Sequence, residues 1–150
     1  MKLAVSAAAS ALIFAAPVVA APGEDDPYAG GSSAYNAAAT MVQIGRYERA
    51  AEMFEKVVSD EPKNPDAFNL LAFSYRKSGQ YDASAAAYRE ALRLDPDHQL
   101  ALSYQGELFL ALGDIAAAEA NLSRLDKICW LGCKAERDLE AAIAAAKAGN

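Results

Sequence analysis

Apolar residues between positions 65 and 98 recur every three or four residues, the spacing that places them on one face of a helix. They form two stripes: Phe68, Leu71, Ala72 and Tyr75 in the first, and Tyr81, Ala85, Tyr88, Ala91 and Leu92 in the second. Gly79 lies between the stripes and stops the first helix, because glycine readily adopts the backbone that ends a helix. Asp95-Pro96 ends the second stripe. The pattern therefore predicts two helices joined by a short turn.

The same pattern recurs on both sides of this segment. Gly45, Gly79 and Gly113 are separated by a 34-residue interval, and a large apolar residue follows each of them two places later. Three copies of one unit result, at 31–64, 65–98 and 99–132. A single helix pair cannot bury both of its faces, so the copies are expected to stack and share a core.

These residues resemble the tetratricopeptide repeat family. The positions that carry the resemblance are Phe68, Leu71-Ala72, Tyr75, Gly79, Tyr81, Tyr88, Ala91 and Pro96. The chain departs from the family pattern at Ser84, where an alanine is usual, and at Ala34, where the first copy lacks the leading aromatic residue. The third copy has no terminal proline. The resemblance implies an all-α fold, a right-handed superhelix of three helix-turn-helix repeats.

Residues 133–147 follow the third copy and carry a narrow apolar stripe of Leu139, Ile143 and Ala146. Charged residues, among them Glu136 and Arg137, stand on the opposite face. Stacked repeats need a terminal helix to cover their last open face. We therefore expect a capping helix over 133–147.

The first residues of the chain have the pattern of a secretory signal peptide. Lys2 precedes an apolar stretch over 3–19, and Val18-x-Ala20 supplies the small residues of a cleavage site. This predicts a signal peptide over 1–20 and a flexible leader over 21–31. An uncleaved membrane anchor is the alternative, but the stretch contains Pro17 and barely reaches the length of a spanning helix. The expected protein is periplasmic or secreted, of the Gram-negative type, with no stable membrane insertion after cleavage.

The composition, the net charge and the motif content limit the classes of function that the chain can have. The chain has 150 residues, of which 53% are hydrophobic and 23% charged, as expected of one globular domain. Its formal net charge of −6 disfavours nucleic acid as a partner, because binding to phosphate requires basic patches. The sequence has no recognisable nucleophile arrangement or phosphate-binding loop, and its one histidine, His98, is predicted to be a solvated turn residue. We expect neither enzymatic activity nor a cofactor.

The chain's two cysteines, Cys129 and Cys133, lie in the stretch KICWLGCK between the third copy and the predicted cap. A zinc site would need about four ligands, and covalent haem would need C-x-x-C-H. In an oxidising compartment the pair is predicted to form a disulfide, with Gly132 allowing the turn and Trp130 packed into the junction. A free or intermolecular thiol pair and a redox or metal role remain alternatives.

The resemblance also implies a concave groove, lined by the first helix of each pair, that receives an extended or helical peptide. The positions that would line it are Tyr35, Asn36 and Ala39 in the first copy, Asn69, Leu70, Phe73 and Arg76 in the second, and Ser103, Tyr104 and Glu107 in the third. The residues predicted to bind the partner are Tyr35, Asn36, Asn69, Phe73, Arg76, Tyr104 and Glu107. The alternative is that these residues are solvated walls or contacts within a repeat.

Some members of the family grip a partner's C-terminal carboxylate with lysines, an arginine and asparagines. The matching positions here hold Tyr35, Ala39, Leu70, Leu100 and Tyr104, so that clamp is not expected. The sequence favours an exported adaptor for a protein or peptide partner. A self-associating structural component, hence a homo-oligomer, and a thiol-active periplasmic factor are the alternatives.

Overall fold

The computed structural model describes residues 31–149. The predicted signal peptide, and the leader up to residue 30, lie outside these residues. Within them the chain forms seven helices and no strand: α1 (Ser33–Gln43), α2 (Tyr47–Asp60), α3 (Pro65–Lys77), α4 (Tyr81–Leu94), α5 (Gln99–Ala111), α6 (Ile115–Ile128) and α7 (Lys134–Ala148). The prediction of an all-α fold built from helix pairs is confirmed.

Local sequence signals set the ends of these helices. Gly45, Gly79 and Gly113 have φ angles of 75°, 79° and 80°, a backbone region that side chains with a Cβ rarely adopt. Each glycine turns the chain from the first helix of a pair into the second. The Asn64 side chain accepts a hydrogen bond from the Ala67 backbone N–H at 3.0 Å, and Pro65 occupies the first turn of α3.

The core lies between stacked helices. Neighbouring helices pack pairwise along the chain, and the contacts between α3 and α5 and between α1 and α3 join the first helices of successive pairs. Phe54 and Tyr88 are fully buried at equivalent positions of the first two copies. Ser84, the departure from the family pattern, is also fully buried, and its hydroxyl donates to the Ala72 carbonyl at 2.8 Å. This hydrogen bond satisfies the extra polar atom in the core.

The helix α7 covers the end of the stack by packing on α5 and α6. Its buried side chains include Leu139 and Ile143, two of the three residues of the predicted stripe. Leu139 lies against Gly106 in the middle of α5, where an added Cβ would come within 2.5 Å of the Leu139 Cδ1 atom. The absence of a side chain at Gly106 therefore allows α7 to sit close to α5.

His98 is buried, so the prediction of a solvated turn residue is wrong. It is the N-cap of α5, and its Nδ1 accepts a hydrogen bond from the Ala101 backbone N–H at 3.3 Å. The ring proton is thereby assigned to Nε2, which donates to Asp66 Oδ1 at 3.0 Å. This hydrogen bond lowers the pKa of the Asp66 carboxyl, and burial acts in the opposite direction. The turn before α5 faces the start of α3 rather than solvent, and that contact covers the imidazole.

Trp130 also differs from its prediction. Its side chain is 83% exposed, and that of Leu131 beside it is 79% exposed, so Trp130 does not fill the junction before the cap. The smaller side chains Cys129 and Ala135 occupy that interior instead. Among residues 31–149, no helix has the length and apolar character needed to cross a membrane.

Candidate functional site

Three aromatic side chains from three helices form a continuous line, called here the aromatic row: Tyr47 of α2, Phe73 of α3 and Tyr104 of α5. The ring centroids of Tyr47 and Phe73 are 6.0 Å apart at a steep interplanar angle of 70°. Those of Phe73 and Tyr104 are 4.9 Å apart. Both spacings lie in the range of attractive ring contacts. All three side chains are only partly buried, so the row keeps surface that a partner can reach.

Two cations lie over the aromatic row. The Arg76 guanidinium carbon is 5.3 Å from the centroid of Phe73 and 6.0 Å from that of Tyr104. The Lys77 ammonium is 5.5 Å from the centroid of Tyr47. Positive charges within about 6 Å of a ring face are attracted by its quadrupole. The row thus combines flat apolar faces with positive charge.

Arg76 is held in place by Glu107. The two side chains form an ion pair between α3 and α5 with a nitrogen-to-oxygen distance of 2.9 Å, and the Arg76 side chain is only 11% exposed. Removing one member of a pair that is largely withdrawn from water leaves the other charge uncompensated. Burial raises the pKa of the Tyr104 hydroxyl, the Glu107 charge raises it further, and Arg76 acts in the opposite direction. These groups therefore form one electrostatic unit.

The structure brings together four of the seven predicted groove residues: Phe73, Arg76, Tyr104 and Glu107. The prediction is wrong for Tyr35 and Asn69, whose side chains are 5% and 2% exposed. The Tyr35 ring packs edge-on against Phe54 at 5.5 Å, because this face of α1 turns towards α2. Ala39, Leu70 and Ser103, the other positions assigned to the groove wall, are buried as well.

Asn36 is exposed at the start of α1, where its amide nitrogen donates to the Gly31 carbonyl at 3.1 Å. Nothing in its surroundings assigns it to the aromatic row.

Sequence reasoning missed Tyr47 and Lys77. Tyr47 follows Gly45 by two places, at the large apolar position that recurs in every copy. Its place in the repeat explains its contact with α3, but the pattern gives no sign that part of its ring stays exposed. Lys77 at the end of α3 carried no signal beyond its charge.

The second notable arrangement is the segment between α6 and α7. The Cα atoms of Cys129 and Cys133 are 5.5 Å apart, within the range that a disulfide spans, and the structure places the two sulfurs in contact. Cys129 is buried at the end of α6, whereas Cys133 is partly exposed at the N-cap of α7. The Glu136 carboxylate accepts a hydrogen bond from the Cys133 backbone N–H at 3.3 Å, which completes a capping box.

Comparison with known proteins identifies the repeat. Two models of the tetratricopeptide repeat family match the chain, one over residues 41–86 and the other over residues 73–130. The cellulose synthase 1 operon protein C of Komagataeibacter xylinus is 32% identical over 94 residues. That alignment covers 63% of this chain but only 7% of the relative, so the chain corresponds to a small part of that protein.

Solved structures share the fold at low sequence identity. The first repeat domain of Spaghetti (RPAP3), bound to the HSP90 peptide SRMEEVD, superposes with a TM-score of 0.65 at 20% identity. The match covers 75% of this chain and 89% of that one. The type III secretion chaperone SycD of Yersinia enterocolitica, in complex with a peptide of the translocator YopD, gives a TM-score of 0.66 at 22% identity, covering 77% and 91%.

Proposed function

Since this chain belongs to the tetratricopeptide repeat family, we propose that it is a protein-interaction adaptor whose aromatic row binds a partner peptide or helix. The observation that carries the proposal is the line of Tyr47, Phe73 and Tyr104 with Arg76 and Lys77 over its rings. A few residues carry most of the binding energy at protein interfaces, and tyrosine, tryptophan and arginine are enriched among them. Both solved neighbours described above hold peptides, which supports the same use of the fold here.

The charges of the row favour a particular partner. Arg76 is already neutralised by Glu107, whereas Lys77 is exposed and its ammonium lies over the ring of Tyr47. A peptide with a large apolar side chain to lie on the rings and a carboxylate to meet Lys77 would complement both features. The adaptor acts by binding and requires no catalytic group or cofactor.

We place the adaptor outside the cytoplasm as part of the same proposal. The support is the apolar stretch at 3–19 with its small-residue cleavage pattern, and the cysteine pair, which suits an oxidising compartment. N-terminal sequencing of the protein from its native cells is expected to begin near Ala21. Recovery of intact Met1 in a membrane fraction would contradict export with cleavage and favour the uncleaved membrane anchor, without bearing on the aromatic row.

Paired substitutions test the binding surface. The double variant Phe73→Ala with Arg76→Glu removes one ring and reverses one charge of the row. The matched control is Tyr81→Ala with Arg93→Glu, which likewise removes one aromatic ring and reverses one arginine charge, at exposed positions of α4. Both proteins are immobilised and exposed to extract from the native cells, and the captured proteins are compared by mass spectrometry.

A partner that is captured by the native chain and the control but lost from the row variant supports the proposal. Circular dichroism must show that all three proteins keep their helicity. Equal capture by both variants would show that the functional surface lies elsewhere. If light scattering instead shows a dimer for the native chain and the control but a monomer for the row variant, the row binds a second copy of the chain. In that case the self-associating component is the correct function.

A further inference from the structure

The segment from Cys129 to Cys133 presents its two sulfurs unequally. Cys129 belongs to the apolar cluster between the third repeat and α7, together with Leu125 and Leu139. Cys133 is partly exposed and stands where α7 begins. A thiolate at the N-cap of a helix is stabilised by the positive end of the helix dipole and by the free backbone N–H groups of the first turn. The Glu136 carboxylate lies within 4.8 Å of the Cys133 sulfur and acts against a thiolate there, so exposure rather than charge distinguishes Cys133 from Cys129.

The cysteine bond is not needed to hold the cap in place. Ala135, Leu139 and Ile143 of α7 are buried against the third repeat, and Lys147 at the far end pairs with Glu119 of α6. A ring closed between residues four positions apart also restricts the unfolded chain less than a long one would. The bond can therefore open and close without displacing α7.

An exposed apolar tip lies between the two cysteines. Trp130 and Leu131 are among the most exposed large hydrophobic residues of the described chain, at 83% and 79%. Gly132, with a φ angle of 78°, returns the chain to α7. A tryptophan and a leucine held next to an accessible sulfur provide a contact surface for an approaching protein.

We infer that the Cys129–Cys133 disulfide exchanges with a dithiol of a partner protein that docks on Trp130 and Leu131. A thiolate of the partner attacks Cys133 Sγ, the bond between the two sulfurs breaks, and Cys129 leaves as a thiolate that takes a proton from solvent. The second partner thiol, deprotonated to solvent, attacks the partner's own sulfur in the mixed disulfide. This releases Cys133 as a thiolate. Two electrons pass from the partner, which becomes a disulfide, to this chain, which becomes a dithiol.

This inference rests on the disulfide of the proposed exported protein but not on the aromatic row. Mass spectrometry after alkylation of the unreduced protein counts its free thiols. Two free thiols that stay free after treatment with oxidised glutathione would overturn both the disulfide and the exchange. A protein that is oxidised but fails the two tests below would overturn the exchange alone.

The first test measures the two sulfurs separately. Cys129→Ser leaves Cys133 as a single thiol, and Cys133→Ser leaves Cys129. With iodoacetamide at neutral pH, Cys133 is expected to react about tenfold faster or more, because it is partly exposed whereas Cys129 is buried. Equal rates, or a faster Cys129, would overturn the assignment of Cys133 as the attacked sulfur.

The second test measures whether the rate of disulfide exchange depends on docking at Trp130 and Leu131. The oxidised chain is mixed with dithiothreitol or with a synthetic peptide whose two cysteines are flanked by leucine and phenylalanine. The peptide is expected to reduce the native chain several times faster than Trp130→Ser with Leu131→Ser, whereas dithiothreitol reduces both at the same rate. Equal rates of reduction by the peptide for both proteins would overturn the proposal.

Discussion

The contact between Gly106 and Leu139 makes a sharp prediction, because substituting the glycine has opposite effects in two backgrounds. An alanine at Gly106 improves the helix propensity of α5 by about 1 kcal/mol. Its Cβ, however, would lie 2.5 Å from Leu139 Cδ1 and 2.7 Å from Cδ2. Carbon atoms normally approach no closer than about 3.5 Å. Leu139 is fully buried, so it can move away only by displacing its neighbours.

The magnitude follows from these two effects. Overpacking a buried contact costs about 1–3 kcal/mol, which offsets the gain in propensity. Gly106→Ala is therefore expected to change the free energy of unfolding of the native chain by between about 0 and −2 kcal/mol. Leu139→Ala alone costs about 2–5 kcal/mol because it leaves a cavity. In that background the added methyl group meets no obstacle, and Gly106→Ala should stabilise by about 1 kcal/mol.

The four proteins of this cycle can be compared by urea denaturation followed by circular dichroism. Equal slopes of the unfolding free energy against urea concentration would show that all four proteins expose the same area of surface on unfolding. The coupling between the two sites is expected to be about 1–3 kcal/mol. If Gly106→Ala has the same sign and size in both backgrounds, α7 does not pack closely on α5, and the placement of the cap is wrong.

Other predictions concern a helix cap, a tyrosine and the cysteine pair. His98→Ala should lower the free energy of unfolding by about 0.5–2 kcal/mol, and His98→Asn, which keeps an acceptor, by less; equal losses in urea denaturation would argue against the cap. Burial and the Glu55 carboxylate raise the pKa of Tyr75 to about 12 from 10.0, so its contribution to stability is present below pH 10 and is lost as the pH rises towards 12. Tyr75→Phe should flatten that part of the stability curve, and superimposable curves would contradict the shift. Reducing Cys129–Cys133 should cost on the order of 2 kcal/mol without loss of helicity, and a variant with alanine at both positions should no longer respond to reductant in thermal unfolding.

The repeat was predictable because its signals are local. Gly45 and its two equivalents mark positions where the backbone itself requires glycine, and that requirement does not depend on the rest of the fold. Helix faces were harder to assign. The predicted groove includes both Tyr35 and Phe73, but the ring of Tyr35 turns inward onto Phe54 while that of Phe73 stays partly exposed. In a stacked helix with neighbours on several sides, small rotations decide which residues remain exposed.

His98 and Trp130 show the same limit, because histidine and tryptophan occur both at the surface and in the interior of proteins. Histidine is a common surface residue, and its burial depends on Asp66, which lies 32 positions earlier in the chain. Tryptophan is usually buried in part, and its exposure here depends on the room that Cys129 and Ala135 leave at the junction. Both outcomes follow from contacts between distant segments, which periodicity cannot supply.

The two polar links between α3 and α5 have a consequence for the mechanics of binding. His98 joins Asp66 at the beginning of these helices, and Arg76 joins Glu107 near their end. Links at both ends of α3 and α5 oppose sliding and splaying of the two helices, so we expect the angle between the second and third repeats to change little when a partner binds. Phe73 and Tyr104 lie between the links, and a ligand that binds them has little ordering to impose. Tyr47 of α2 does not belong to this linked pair of helices. We therefore expect the contact between the first and second repeats to be the one that adjusts to partners of different size.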